Sequence, residues 1–209
     1  MSDVQNPPEF VKMTGPNDHE LFKKHVTRAL QAHLRGPKPV LGASIDVRDS
    51  YKGMQMYMTP DKKAGYAITD KGALISVFKH PTSTNTGVAE TAARQALANG
   101  ATHLSTWDPK LPELYMRGGF TPVGRMKFDP NDLSDNWDIK TMGTPDVVFM
   151  SAKSDAHKPE SEPYKTGVAP ETHDYDAGME SAKSEGEKNR FGGKTVRSRI
   201  AELRTGLRK

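Results

Sequence analysis

From Phe10 to Ala152 the hydrophobic positions switch repeatedly between a period of two and a period of three to four, the mark of strands alternating with helices. Phe10-Val11-Lys12-Met13 alternates as a first strand, and Gly15-Pro16 turns the chain. Asn17 with Glu20 forms a capping-box pattern before a helix whose Phe22, Val26, Ala29 and Leu30 share one face; Gly36-Pro37 ends it. Leu41 to Val47 fits a short strand or a loop. Met54, Met56 and Met58 alternate with Gln55 and Tyr57 at strand spacing, which predicts core methionines on one face; because methionine adapts to varied neighbours, a soft substrate-facing wall is the alternative. Strands over Ala64–Thr69 and Ala73–Phe78 are joined by the hairpin chemistry of Asp70-Lys71-Gly72. Val88 to Asn99 is an alanine-rich helix suited to close packing on a sheet, stopped at Asn99-Gly100. A short buried strand, Thr102 to Thr106, precedes a helix framed by Pro109 and Pro112. Thr121 to Phe128 is a strand, residues 129–144 are a polar connection holding Trp137, and Asp146 to Met150 is a strongly apolar last strand. The order β-α-β-β-β-α-β-α-β-β predicts an α/β domain over residues 10–152, a mixed central sheet flanked by helices, after a flexible N-terminus of residues 1–9.

Beyond Ser151 the pattern breaks down. Residues 155–187 hold nine Asp or Glu against three Lys or Arg. So little apolar surface predicts an acidic disordered linker over residues 153–187. Residues 188–209 reverse the sign, with eight Lys or Arg against one acid, Glu202. Val196, Ile200, Leu203 and Leu207 recur there at helical spacing, with Arg197, Arg199, Arg204 and Arg208 around them. That predicts a flexible C-terminal arm ending in a basic amphipathic helix. Its stripe fits an apolar-grooved partner protein and its charges an acidic one; nucleic acid and an anionic membrane surface are weaker matches.

Composition narrows the function classes. The 209 residues carry a formal net charge of +4, 34% hydrophobic residues and no cysteine. A thiol nucleophile, a thiolate metal site and a disulfide framework are therefore absent. The apolar runs fall far short of the roughly 18 residues of a membrane span, and a soluble cytoplasmic protein is expected. No metal-ligand spacing of His, Asp and Glu occurs, and no P-loop is present.

The candidate chemistry lies between Leu74 and Phe120. A strand ends in Lys79-His80-Pro81, a hydroxyl-rich loop follows, and Gly87 opens the alanine-rich helix. A helix N-terminus offers unpaired N–H groups and a positive dipole end, a setting that suits phosphate. Gly87 permits close approach of a ligand to the backbone, and Thr82, Ser83, Thr84 and Thr86 add hydroxyls. The same residues equally suit a plain N-cap.

In order and spacing this stretch resembles the GNAT family of N-acetyltransferases. The family's acyl-CoA loop, P-x-x-[QR]-G-x-G-x-[GA], is matched in register by Pro81-Thr82-Ser83-Thr84-Asn85-Thr86-Gly87-Val88-Ala89. Pro81, Gly87, Val88 and Ala89 agree, whereas Thr84 replaces Gln or Arg and Asn85 replaces the first Gly. The family's later L-Y-x-x-x-G-F is intact as Leu114-Tyr115 followed by Gly119-Phe120. The resemblance implies a GNAT-like fold and acetyl-CoA held by Thr84, Asn85, Thr86, Gly87, Val88 and Ala89. It also implies a backbone N–H of Phe78 or Lys79 on the thioester carbonyl, and Tyr115 as general acid. The expected reaction is acetyl transfer to a primary amine. His80, beside the loop, titrates in the useful range for a base; Asp46, Asp49 and His103 are further candidates. The competing expectation is a GNAT-shaped structural protein without catalysis, a component of a viral or phage assembly, tethered by its tail.

Overall fold

A computed structural model describes residues 7–37, 45–132, 137, 139–153 and 164–191. Its elements are β1 (Val11–Lys12), α1 (Asp18–Leu34), β2 (Gln55–Met58), β3 (Ala64–Ile68), β4 (Leu74–Lys79), α2 (Val88–Ala98), β5 (His103–Trp107), α3 (Lys110–Arg117), β6 (Phe120–Met126), α4 (Ile139–Met142), β7 (Val147–Ala152) and α5 (Tyr175–Phe191). The fold is mixed α/β, and as far as β7 the order matches the periodicity, with the short α4 added. Of the stretch Leu41 to Val47, residues 41–44 lie outside the described residues, and Ile45 to Val47 form a loop.

In place of the single mixed central sheet expected, the strands form two antiparallel sheets, β1-β2-β3-β4 and β5-β7-β6, because β4 and β5 meet at one bridge and form no ladder. They touch where Ala73 bridges His103 in parallel and the Thr102 N–H donates to the Gly72 carbonyl at 2.8 Å. Past this junction, no further ladder joins β4 to β5 among the described residues, so the two strands leave a gap.

Alternation sorts the core into layers. Tyr66, Ile68 and Leu74 of the first sheet and Leu104, Val148 and Met150 of the second pack beneath α2 and α3, against Ala92, Ala93, Ala96 and Tyr115. On the opposite face α1 covers the first sheet, with Phe22, Val26 and Ala29 against Met56, Met58, Ala67, Ile75 and Phe78. The expected core methionines are thus Met56 and Met58, with Met54 partly buried beside them. The second sheet is covered on that face by α5, where Phe149 and Val147 meet Ala182. The capping box of α1 does not form. Asn17 is the N-cap without a side-chain bond, and Asp18 accepts from the Gly15 N–H at 2.6 Å instead.

The largest departure from expectation is α5. Residues 164–191 are folded, although the sequence predicts an acidic disordered linker as far as 187. Lys188 to Phe191 belong to this helix rather than to a separate tail; the rest of the expected basic helix, 192–209, lies outside the described residues, as do 154–163. The physical reason is a stripe of small residues. Gly178, Ala182 and Gly186, spaced four apart, are all buried. A Cβ on Gly178 would stand 2.4 Å from the Phe149 ring, and one on Gly186 2.0 Å from the Thr102 carbonyl oxygen. The helix backbone therefore lies directly on the sheet, and close packing supplies what large apolar side chains do not. Its C-terminal end is tied down as well. Asn189 donates to the Ala152 carbonyl at 3.0 Å, and Arg190 donates to the carbonyls of Leu97 and Ala101 at the end of α2. A cation there also complements the helix dipole. Before α5, residues 170–172 line the outer edge of β6: Arg125 N–H donates to the Pro170 carbonyl and Thr172 N–H to the Arg125 carbonyl, each at 2.8 Å. The Arg125 guanidinium adds ion pairs to Asp146 at 3.0 Å and Glu171 at 2.9 Å.

Candidate functional site

The gap between β4 and β5 opens into a cavity of about 770 Å³. Leu74 to Val77 form one wall and Ser105 to Trp107 the other. Tyr115 of α3 faces it from one layer; Leu30 and Leu34 of α1, with Tyr175 and Met179 of α5, close the opposite layer. Trp107 and Trp137, with ring centroids 4.8 Å apart, and Phe128, 5.8 Å from Trp137, make an aromatic rim.

β4 is not a regular strand. Ser76 has φ of 51°, a left-handed conformation uncommon for a residue with a side chain. The β3–β4 register shifts between Gly65 and Ala67, the mark of a bulge. As a result Val77 packs under α2 and Phe78 turns beneath α1, edge-on to Phe22 at 5.8 Å. The bulge is held from α1's side. The Ser76 hydroxyl donates to the Asp46 carbonyl at 2.6 Å and shares a 2.8 Å hydrogen bond with the Tyr51 hydroxyl, which in turn accepts from the Arg48 N–H at 3.1 Å. Strain of this kind persists only where neighbours impose it.

Past the bulge, the His80 N–H donates to the carbonyl of Lys63, the residue just before β3, at 2.6 Å. Two-residue alternation then turns Phe78, opposite Gly65, toward β3 and turns Lys79 toward the open edge. Of the two backbone groups expected on a thioester, the register gives Phe78 to the sheet and leaves Lys79. The Lys79 carbonyl, on that same edge, meets the His33 Nε2 at 2.7 Å.

The loop before α2 follows the end of β4, and none of Phe78, Lys79, Thr84, Asn85, Thr86, Gly87, Val88 and Ala89 is among the residues lining the cavity. Pro81, Thr82, Thr84 and Thr86 are exposed and Ser83 is buried; the Ser83 hydroxyl accepts from the Asn85 backbone N–H at 3.3 Å and side-chain amide at 3.2 Å. Gly87 caps α2 at φ of 66°, where a β-carbon would be strained, and Val88 is buried while Ala89 is half-buried. Two lysines pin the loop through its carbonyls: Lys79 Nζ donates to Asn85 at 2.5 Å and Lys63 Nζ to Thr82 at 3.4 Å. The Lys79 side chain is a feature that motif reading missed, since the motif uses only its backbone.

The titratable groups separate clearly. Tyr115 is buried, and desolvation raises its pKa so that it stays protonated. Asp46 lines the cavity with its side chain 47% exposed. Partial desolvation lifts its pKa, opposed by Arg48, whose Nε lies 2.7 Å away. His80 is not among the groups lining the cavity with Tyr115. Its Nδ1 accepts from the Thr82 N–H at 3.2 Å, so the ring folds back on its own loop; desolvation, then His33 and Lys63, lower its pKa. His103 is buried on the α5 face, its Nδ1 2.9 Å from the Thr102 hydroxyl, with its pKa pushed down to about 4 by desolvation and Lys183. Asp49 is exposed on the loop before β2. Among the sequence candidates for a base, the cavity retains Asp46.

The glycines of the L-Y-x-x-x-G-F segment have packing roles. A Cβ on Gly118 would stand 2.3 Å from that of Ala93 on α2, and Gly119 has φ of 105°. The chain matches no family model, no curated protein and no solved structure. No described helix is long and apolar enough to cross a membrane, and no cluster of three metal-ligating side chains occurs among the described residues.

Proposed function

We propose that the chain is an acyl-CoA-dependent N-acyltransferase with a GNAT-like layout, transferring acetyl to a primary amine. The observation that carries this reading is the cavity held open between β4 and β5, with the protonated hydroxyl-bearing Tyr115 on its wall. A filled gap would have argued against it. The residues present suit the co-substrate. The outward edge of β4 offers the Lys79 N–H, Gly87 opens α2 without a β-carbon in the way, and Lys79 Nζ places a positive charge on the loop. That charge compensates for Thr84 at the position where the family carries Gln or Arg. When bound, acetyl-CoA supplies the activated acyl group. Tyr115 is then the proton donor for the departing sulfur, and Asp46 the carboxylate that accepts a proton from an incoming ammonium.

A screen of primary amines with the full chain and acetyl-CoA, read by release of free thiol, tests the reaction. Tyr115→Phe removes only the hydroxyl and is expected to lower turnover about 100-fold with little change in binding. Equal turnover in wild type and Tyr115→Phe would remove Tyr115 from the mechanism.

One observation favours a second reading. Gly118 and Gly119 are accounted for by the approach of α3 to α2, so the motif would persist in a GNAT-shaped interaction protein without catalysis. That protein would bind neither acetyl-CoA nor CoA, and its basic tail from 192 onward would be its means of docking to a partner.

A further inference from the structure

The geometry points to α5, the last of the described helices, as a wall of the cavity: Tyr175 and Met179 limit the length of the acyl chain the site accepts. This rests on the acyl-CoA reading above and deepens it. The two strands are joined at Ala73 and His103 and diverge from there, so the gap is narrow near Ser105 and wide near Val77 and Trp107. A chain entering from the loop side, at the wide end, runs toward the junction. On the α1 face of the sheet, level with Ser105 rather than at the junction itself, stand Met179 and the 40% exposed Tyr175. The Tyr175 hydroxyl shares a 2.8 Å hydrogen bond with the Ser105 hydroxyl, and its ring packs against Phe149 with centroids 5.5 Å apart. Met179 touches both the cluster under α1 and the cluster under α5, and so spans the seam between the two sheets.

The wall is firm at Met179, where α5 is seated directly on the sheet; Tyr175, in the first turn, is held by its bond to Ser105 and its contact with Phe149. Gly178, next to Met179, rests on the Phe149 ring, and Gly186 rests on the Thr102 carbonyl. Asn189 and Arg190 fasten the far end. Methionine fills the remaining space with a side chain that adapts locally but cannot vacate it. One or two added methylenes can be absorbed there, and a long chain cannot.

The test uses acetyl-, butanoyl-, hexanoyl- and octanoyl-CoA with the full chain. Both tryptophans of the protein line this cavity, so quenching of intrinsic fluorescence reports its occupancy directly. Wild type is expected to bind acetyl-CoA at least about tenfold more tightly than octanoyl-CoA. Met179→Ala and Tyr175→Ala are each expected to tighten octanoyl-CoA about tenfold while changing acetyl-CoA less than about threefold. Met179→Leu, close in volume, restores the wild-type preference. Wild type that takes all four lengths equally, or variants with an unchanged length profile, overturn the gauge and leave the acyl-CoA reading standing. If no acyl-CoA and no free CoA binds wild type, the acyl-CoA reading fails and the gauge falls with it. The wild-type series alone can refute the gauge, even if an alanine variant does not fold.

Discussion

Gly186→Ala tests the seating of α5 by the sign of its effect. Helix propensity favours alanine over glycine by about 1 kcal/mol inside a helix, so a free helix gains from the change. In the seated helix the new Cβ would lie 2.0 Å from the Thr102 carbonyl oxygen and 2.8 Å from its carbon. Those atoms cannot swing aside. The Thr102 carbonyl accepts the Ala152 N–H at 2.7 Å, and the Thr102 N–H holds Gly72 at the junction of the two sheets. The helix must instead back off by about 1 Å, loosening contacts along its whole length; overpacking of this kind costs about 1–3 kcal/mol, more where backbone is met. The expected net loss is about 2 kcal/mol, or a Tm about 4–8 °C lower for a chain of this size. Urea and thermal unfolding of the full chain read it directly. Ser184→Ala, on the exposed side of the same helix, controls for propensity and is expected to be neutral or slightly stabilising. A Gly186→Ala protein about 1 kcal/mol more stable than wild type would refute the docking of α5.

Three further outcomes are expected. His103 has a pKa of about 4 in the folded state against an ordinary value near 6.5, so the unfolded chain takes up its proton first. Stability is therefore full above about pH 6.5 and is lost as pH falls toward 4, by about 3 kcal/mol in all; His103→Gln should flatten urea midpoints measured across that window. Tyr51→Phe removes the hydroxyl bonded to Ser76 and to the Arg48 N–H, and should cost about 1–2 kcal/mol in urea unfolding; no loss would detach that network from the β4 bulge. Lys79→Ala frees the Asn85 carbonyl and takes the ammonium from the loop, so calorimetric CoA affinity should fall about tenfold, the worth of one charge-assisted contact; unchanged affinity would move the phosphates elsewhere.

Element order was legible because each period change from Phe10 to Ala152 falls at a Gly or Pro turn or at a helix stop. Bulges leave no such trace. Leu74-Ile75-Ser76-Val77-Phe78 is apolar around Ser76 either way, so nothing in the pattern announces that Phe78 exchanges faces. α5 escaped notice because hydrophobic content measures mass, and this helix is held by the absence of side chains. The spacing of Gly178, Ala182 and Gly186 was the available signal. Within the site, the resemblance singled out Tyr115, which lies on the cavity wall, and Thr84 to Ala89, which do not line it. It could not foresee His80 folding onto Thr82, which depends on a hydrogen bond inside the loop. Asp46 and Met179 reach the cavity from segments with no apolar period, and only tertiary packing brings them there.

The most direct test of the central claim is calorimetric titration of the full chain with CoA and acetyl-CoA, with tryptophan fluorescence followed in parallel. A cavity that accepts the co-substrate predicts micromolar binding with quenching of Trp107 and Trp137. Absence of heat and of quenching up to millimolar ligand would contradict the acyltransferase reading and leave the non-catalytic one.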